Sequence, residues 1–124
     1  MKVLVTGCFG FIGYNFILHL ENLGIDYIGI DNLTSLTSKF LYKNKKNKKN
    51  FYICDVSDIN EIKQLNDEKI DTIFNFAAET HVDNSINDHS IFFMSNVNSL
   101  IDLLSFSLKK GVREVIHIST DVVY

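Results

Sequence analysis

The sequence predicts an α/β fold: a Rossmann-type doubly wound parallel sheet of five strands in the order 3-2-1-4-5, with helices on both faces. Three observations lead there. Short apolar runs alternate with helical stretches five times within 124 residues, the pattern of successive βαβ crossovers. The first run, Val3-Leu4-Val5, leads into Thr6-Gly7-Cys8-Phe9-Gly10-Phe11-Ile12-Gly13, a glycine turn that opens a helix. An acid, Asp31, ends the second run. Right-handed crossovers and a glycine turn on the first strand give the order.

Each element has a local reason. Lys2 to Val5 forms the first strand. Gly7 then permits a sharp turn where a Cβ would clash. Gly10 lets backbone approach a pyrophosphate, and Gly13 lets the helix sit close to the sheet. The helix spans Phe11 to Leu23, with Ile12, Phe16, Leu20 and Leu23 at helical spacing and Gly24 just past its end. Tyr27 to Ile30 is the second strand. Residues Asn32 to Asn50 form a long connection with a short helix near Lys39 to Lys43. Phe51 to Cys54 is the third strand, followed by Asp55. Asp58 and Glu61 stand three apart, as in a capping box, and open a helix reaching roughly Leu65. Thr72 to Phe76 is the fourth strand, and Ala77 to Asp88 a polar loop. A long helix from about His89 to Lys109 carries Phe93, Val97, Leu100, Leu104 and Leu108 on one face. Gly111 stops it, and Glu114 to Ile118 is the fifth strand.

Composition sets the outer bounds. Hydrophobic residues are 46% and charged residues 22%, so one globular domain with an ordinary core is expected. No apolar run reaches the length of a membrane span, and because the N-terminus enters strand pattern directly, no signal peptide is expected. Cys8 and Cys54 lack metal-ligand spacing and read as free thiols of a cytoplasmic protein. The chain has no proline, a fact without a functional reading. The net charge of −3 conceals a lysine-rich stretch between Lys39 and Lys49. Asparagines interleave those lysines and aromatics are few, so a solvated surface loop is expected rather than a nucleic-acid contact.

In such folds ligands bind beyond the carboxyl ends of the strands, at the switch between strands one and four. The helix that follows the glycine turn offers its unpaired N–H groups and positive dipole end to phosphates. Asp31 can accept hydrogen bonds from ribose hydroxyls and repel a 2′-phosphate, which favours NAD over NADP. Asp55, with Val56 beside it, falls where the adenine would lie. After strand four, Glu79, His81 and Asp83 place three ionisable groups within five residues. Spacing alone admits metal ligands there, but no further cluster supports a metal. After strand five, Thr120 and Tyr124 could hold and deprotonate a substrate hydroxyl, provided a cation lowers the tyrosine pKa from near 10.

Six stretches together resemble one family: TGCFGFIG at 6–13, DNLT at 31–34, CDV at 54–56, NFAAETHVDNSI at 75–86, NV at 96–97 and STDVVY at 119–124. They look like the extended short-chain dehydrogenase/reductase family of NAD-dependent epimerases and dehydratases. The alanine-acid-histidine stretch at 77–83 is the most specific and points to its nucleotide-sugar 4,6-dehydratases. The resemblance implies an NAD site formed by Gly7, Phe9, Gly10, Phe11, Ile12, Gly13, Asp31, Asn32, Asp55, Val56, Ala77, Ala78 and Asn96. It implies substrate contacts from Glu79, His81 and Asp83. Tyr124 matches the tyrosine that takes the proton of the sugar C4 hydroxyl as hydride passes to NAD. Thr120 matches the hydroxyl that holds the C4 oxygen. Asp121 matches the acid that protonates the departing C6 hydroxyl. The implied substrate is a nucleotide sugar, dTDP-glucose or similar, and the implied assembly a homodimer.

The sequence departs from the family pattern in three places. Val122 stands where the family has the glutamate that removes the C5 proton. Ser99 and Leu100 stand where Gly-Thr is usual. The family's lysine four residues beyond the tyrosine, and its sugar-nucleotide domain, lie outside these 124 residues. The stretch is therefore expected to be an NAD-binding Rossmann domain, residues 1–124, without its substrate domain, and to bind cofactor better than it turns over. The other readings are a nucleotide-sugar epimerase, which Val122 favours, and a catalytically inactive dinucleotide-binding fragment.

Overall fold

The computed structural model describes residues 1–55, 63–65, 68–76, 101 and 103–118. Their strands are β1 (Lys2–Thr6), β2 (Asp26–Asp31), β3 (Phe51–Ile53), β4 (Thr72–Asn75) and β5 (Glu114–His117). They form one parallel sheet in the order β3-β2-β1-β4-β5. This is the predicted order. The switch lies at β1, where the chain leaves toward β2 on one side and β4 on the other.

The sheet is apolar on both faces, as a parallel sheet covered on both sides requires. Val3, Val5, Tyr27 and Phe51 face helix α1 (Phe11–Leu23) and pack with Phe9, Ile17 and Leu20. Leu4, Ile28, Ile30 and Ile73 face the other way, onto Leu65, Ile70, Leu103 and Phe106. Burying a side chain of this size stabilises by about 1.5–3 kcal/mol. The central strands therefore form the most strongly held part of the described structure.

Helix α1 has the predicted bounds but a different buried face. Gly13, Ile17 and Leu20 are buried and Phe16 is half-buried, whereas Ile12 and Leu23 are exposed. Contact between Gly13 and the glycine turn sets this rotation. A similar correction applies to the helical residues 103–110. Leu103, Phe106 and Ser107 are buried, whereas Leu104 and Leu108 are exposed. The Ser107 hydroxyl donates to the Leu103 carbonyl at 2.8 Å, which lets a polar residue occupy the inner face. Residues Phe93, Val97 and Leu100 lie outside the described residues.

The long connection after β2 is more ordered than the sequence suggested. Helix α2 runs over Leu36–Asn44, starting earlier than the predicted short helix. Ser35 caps it. Its hydroxyl accepts from the Ser38 N–H at 3.0 Å, and the Ser38 hydroxyl accepts from the Ser35 N–H at 3.2 Å. The lysine stretch is also not wholly solvated. Lys45 pairs with Glu21 at 2.9 Å and lies 5.7 Å from the Tyr14 ring centre, tying the segment to α1. Burial pushes the Glu21 carboxyl up, but hydrogen bonds from Lys45 and Tyr27 outweigh it and hold the group below its usual range.

Where the expected helix before β4 ends, residues Lys63–Leu65 form a 3₁₀ turn. The Asp58–Glu61 pair lies outside the described residues. No helix among the described residues is long and apolar enough to cross a membrane.

Candidate functional site: the glycine turn and the strand ends

The turn after β1 is built by steric necessity at two glycines. Gly7 has φ 64°, the left-handed region that disfavours a side chain. Gly13 is buried in the first turns of α1. A Cβ there would lie 2.2 Å from the Gly7 carbonyl oxygen and 3.1 Å from the Cys8 Cα. The helix thus rests directly on the turn.

Gly10 differs. It is exposed and precedes α1 with φ −79°, which any residue adopts. A Cβ there would meet only the Gly7 oxygen, at 3.4 Å. Nothing among the described residues demands glycine at this position, so the demand fits a ligand approaching from outside. Gly10 also leaves the helix N-terminus without a side-chain cap. The first N–H groups of α1 are thereby left to an anion such as a pyrophosphate. Phe11 and Ile12 are 83% and 58% exposed beside them, which leaves apolar surface at the mouth for a ligand to cover.

Asp31 ends β2 and is buried at 9% exposure. Its two carboxylate oxygens accept from the Phe9 N–H at 2.9 Å and the Leu33 N–H at 2.8 Å. One side chain therefore braces both the glycine turn and the loop after β2. Leu33 has φ 57°, and the bond to Asp31 helps hold it there. Each carboxylate oxygen retains a second lone pair for a ribose hydroxyl. Exposed Asn32 follows at the rim.

The Phe9 ring turns inward onto Tyr14, Tyr42 and Phe51, at centroid distances of 6.0, 5.5 and 4.9 Å. Phe9 therefore serves the turn through its buried ring and its bonded N–H. Cys8 beside it is fully buried. Burial first, then the Asp31 charge, push its thiol well above the usual range, so it stays protonated and is no nucleophile. Asp55 is half-buried just past β3. The Cys54 N–H before it donates to the Asp31 carbonyl at 3.0 Å, joining the ends of β2 and β3.

Sequence reasoning missed a second polar group at the strand ends. Thr6, Asn75 and His117 are the last residues of β1, β4 and β5, and the strand register sets them side by side. The Thr6 hydroxyl donates to the Asn75 side-chain oxygen, and the Asn75 amide nitrogen lies 2.9 Å from His117 Nδ1. The available signal was one polar residue closing each of three apolar runs. Val56, Ala77, Ala78, Glu79, His81, Asp83, Asn96, Thr120, Asp121 and Tyr124 lie outside the described residues.

The sequence and the fold are matched by known proteins. Residues 3–124 match the model of the NAD dependent epimerase/dehydratase family. The chain belongs to that family. The family's cofactor is NAD, and the uncapped helix end, the sterically open Gly10 and the Asp31 carboxylate fit a dinucleotide. A dTDP-glucose 4,6-dehydratase from Xanthomonas campestris pv. campestris is 33% identical over 133 residues, covering 98% of this chain and 38% of that protein. The structure of DesIV, a dTDP-glucose 4,6-dehydratase from Streptomyces venezuelae solved with NAD and TYD, superposes with a TM-score of 0.81 at 33% identity. That match covers 98% of this chain and 40% of DesIV. A UDP-glucose 4-epimerase from Thermotoga maritima superposes equally well, with a TM-score of 0.81 at 27% identity, covering 97% of this chain and 38% of the epimerase. The chain thus spans about two fifths of the length of these relatives.

Replacement of Asp31 by alanine is expected to have two effects. The Phe9 N–H becomes a buried donor without a partner, at a cost of about 1–3 kcal/mol, so the melting temperature falls. NAD also loses a charged hydrogen-bond acceptor, worth roughly 1.5–3 kcal/mol. Calorimetric titration beside a thermal melt checks both. Unchanged NAD affinity in Asp31→Ala would remove the carboxylate from the cofactor site.

Proposed function

We propose that the protein is an NAD-dependent nucleotide-sugar 4,6-dehydratase, a lyase acting on dTDP-glucose or a similar nucleotide sugar. The observation that carries this reading is the stretch Ala77-Ala78-Glu79-Thr80-His81-Val82-Asp83, the most dehydratase-like part of the sequence. Similarity to dehydratases along nearly the whole chain supports it.

In this reading Tyr124 removes the proton of the sugar C4 hydroxyl and Thr120 holds the C4 oxygen. Asp121 protonates the departing C6 hydroxyl. Glu79, His81 and Asp83 contact the substrate. Gly7, Gly10, Gly13, Asp31, Asn32 and Asp55 hold the cofactor, joined by Val56, Ala77, Ala78 and Asn96. When bound, NAD supplies a reversible hydride acceptor. Residues 1–124 are then the NAD-binding domain of a cytoplasmic enzyme that pairs as a homodimer, with the nucleotide-sugar domain elsewhere in the protein.

A second reading, a nucleotide-sugar 4-epimerase, is favoured by Val122, which cannot accept the C5 proton, and by the epimerase superposition. Product analysis separates the two. The protein at its natural length, given NAD and dTDP-glucose, is expected to form a 4-keto-6-deoxy sugar nucleotide. A product of unchanged mass, epimeric at C4, would overturn the dehydratase reading in favour of the epimerase.

A further inference from the structure

We propose that Thr6, Asn75 and His117 form a positioning ladder for the nicotinamide half of the cofactor, with Asn75 as its centre. The ladder crosses the sheet at the carboxyl ends of β1, β4 and β5. Thr6 and Asn75 are buried at 0% and 3% exposure, while His117 is exposed at the rim. Backbone bonds run parallel to it: the Phe76 N–H donates to the Thr6 carbonyl at 3.2 Å, and the Ile118 N–H to the Asn75 carbonyl at 3.1 Å.

Its position explains the role. Gly7 follows Thr6 directly, Ala77 lies two residues beyond Asn75, and Ser119 two residues beyond His117. One chain of side-chain hydrogen bonds therefore ties the three points where backbone leaves the sheet on the β4–β5 side of the switch. The adenosine-side residues Asp31, Asn32 and Asp55 hang from β2 and β3; of the ladder only Thr6 adjoins β2, opposite Ile30, while Asn75 and His117 lie on β4 and β5. Loss of the Asn75 or His117 side chain thus loosens the β4–β5 side of the site first, away from β2 and β3.

The Thr6–Asn75 bond gives the ladder a direction. Thr6 donates to the Asn75 oxygen, which turns the Asn75 amide N–H groups toward His117. With the Asn75 nitrogen donating, His117 Nδ1 is the acceptor of this bond. An amide presents an acceptor to Thr6 and a donor to His117 at the same time. That is a physical reason for an asparagine at the end of an otherwise apolar strand.

This inference rests on the NAD site but not on the dehydratase assignment. A protein that binds NAD and proves to be an epimerase leaves it intact. The test compares NAD with ADP-ribose, which lacks the nicotinamide, in calorimetric titrations of the natural-length protein. Asn75→Ala is expected to weaken NAD about tenfold, the scale of one buried hydrogen bond left unmade, and ADP-ribose by less than about twofold. His117→Ala changes only an exposed position, so it folds and repeats the comparison should Asn75→Ala fail to fold. Equal losses for the two ligands, or no loss for either, would overturn the proposal. The ring ¹⁵N shifts of His117 in the unaltered protein should report the Nε2–H tautomer. The Nδ1–H tautomer would overturn this direction and with it the orienting role of Thr6.

Discussion

Replacing Gly13 by alanine is expected to disrupt the cofactor site and destabilise the fold together. Two effects oppose each other. Alanine in a helix interior is favoured over glycine by roughly 0.5–1 kcal/mol. Against that stands a methyl group 2.2 Å from a backbone oxygen and 3.1 Å from the Cys8 Cα. Backbone cannot swing aside as a side-chain end can, so α1 must move off the turn. Overpacking of this kind costs about 1–3 kcal/mol, occasionally more, which exceeds the helix gain. The displaced element carries the uncapped N–H groups proposed to meet the phosphates, so NAD affinity should fall with stability. Gly10→Ala is the control. Its Cβ would find 3.4 Å of room, so the melting temperature should hold while NAD binding drops. Thermal melts and NAD titrations on both variants check this. A Gly10→Ala protein that binds NAD normally would show that no ligand passes close to that backbone.

Replacing Val122 by glutamate should raise the rate of water elimination by roughly 100- to 10,000-fold, the usual scale of general-base catalysis. This prediction rests on the dehydratase reading. Valine has no group that can take the C5 proton, whereas Tyr124, Thr120 and Asp121 retain the groups required for the other steps. Oxidation at C4 should therefore be little changed by Val122→Glu. Single-turnover kinetics on the natural-length protein separate the two, because nicotinamide absorbance reports hydride transfer and product mass reports loss of water. If the Val122 protein already eliminates as fast as the glutamate variant, another residue is the base.

Much of the fold could be read from the residues because its signals are local. The apolar runs and the turn glycine at Gly7 each act within a few positions, and the helix Phe11–Leu23 has the expected bounds. Helix α2 was underestimated because its cap pairs Ser35 with Ser38 instead of with the usual acid or amide, and its lysines suggested solvent. Helix faces were shifted because a close backbone contact, here Gly13 on Gly7, outweighs hydrophobic periodicity in setting rotation. Of the site, the place of Asp31 at the end of the second strand was legible, but its bonds to Phe9 and Leu33 were not, since they depend on how two loops meet. The ladder was hidden for the same reason. Thr6, Asn75 and His117 are 69 and 42 positions apart, and only the strand register joins them.

The central claim is that the glycine turn and Asp31 form an NAD site, and parallel titration with NAD and NADP tests it most directly. Asp31 is buried with its charge beside the expected ribose, so a 2′-phosphate would lose a hydrogen-bonded hydroxyl and face a like charge. Losing the charged hydrogen bond alone is worth roughly 1.5–3 kcal/mol. At 1.4 kcal/mol per factor of ten, NADP should bind at least about tenfold more weakly than NAD. Equal affinity for the two dinucleotides, or no measurable binding of NAD, would contradict the account.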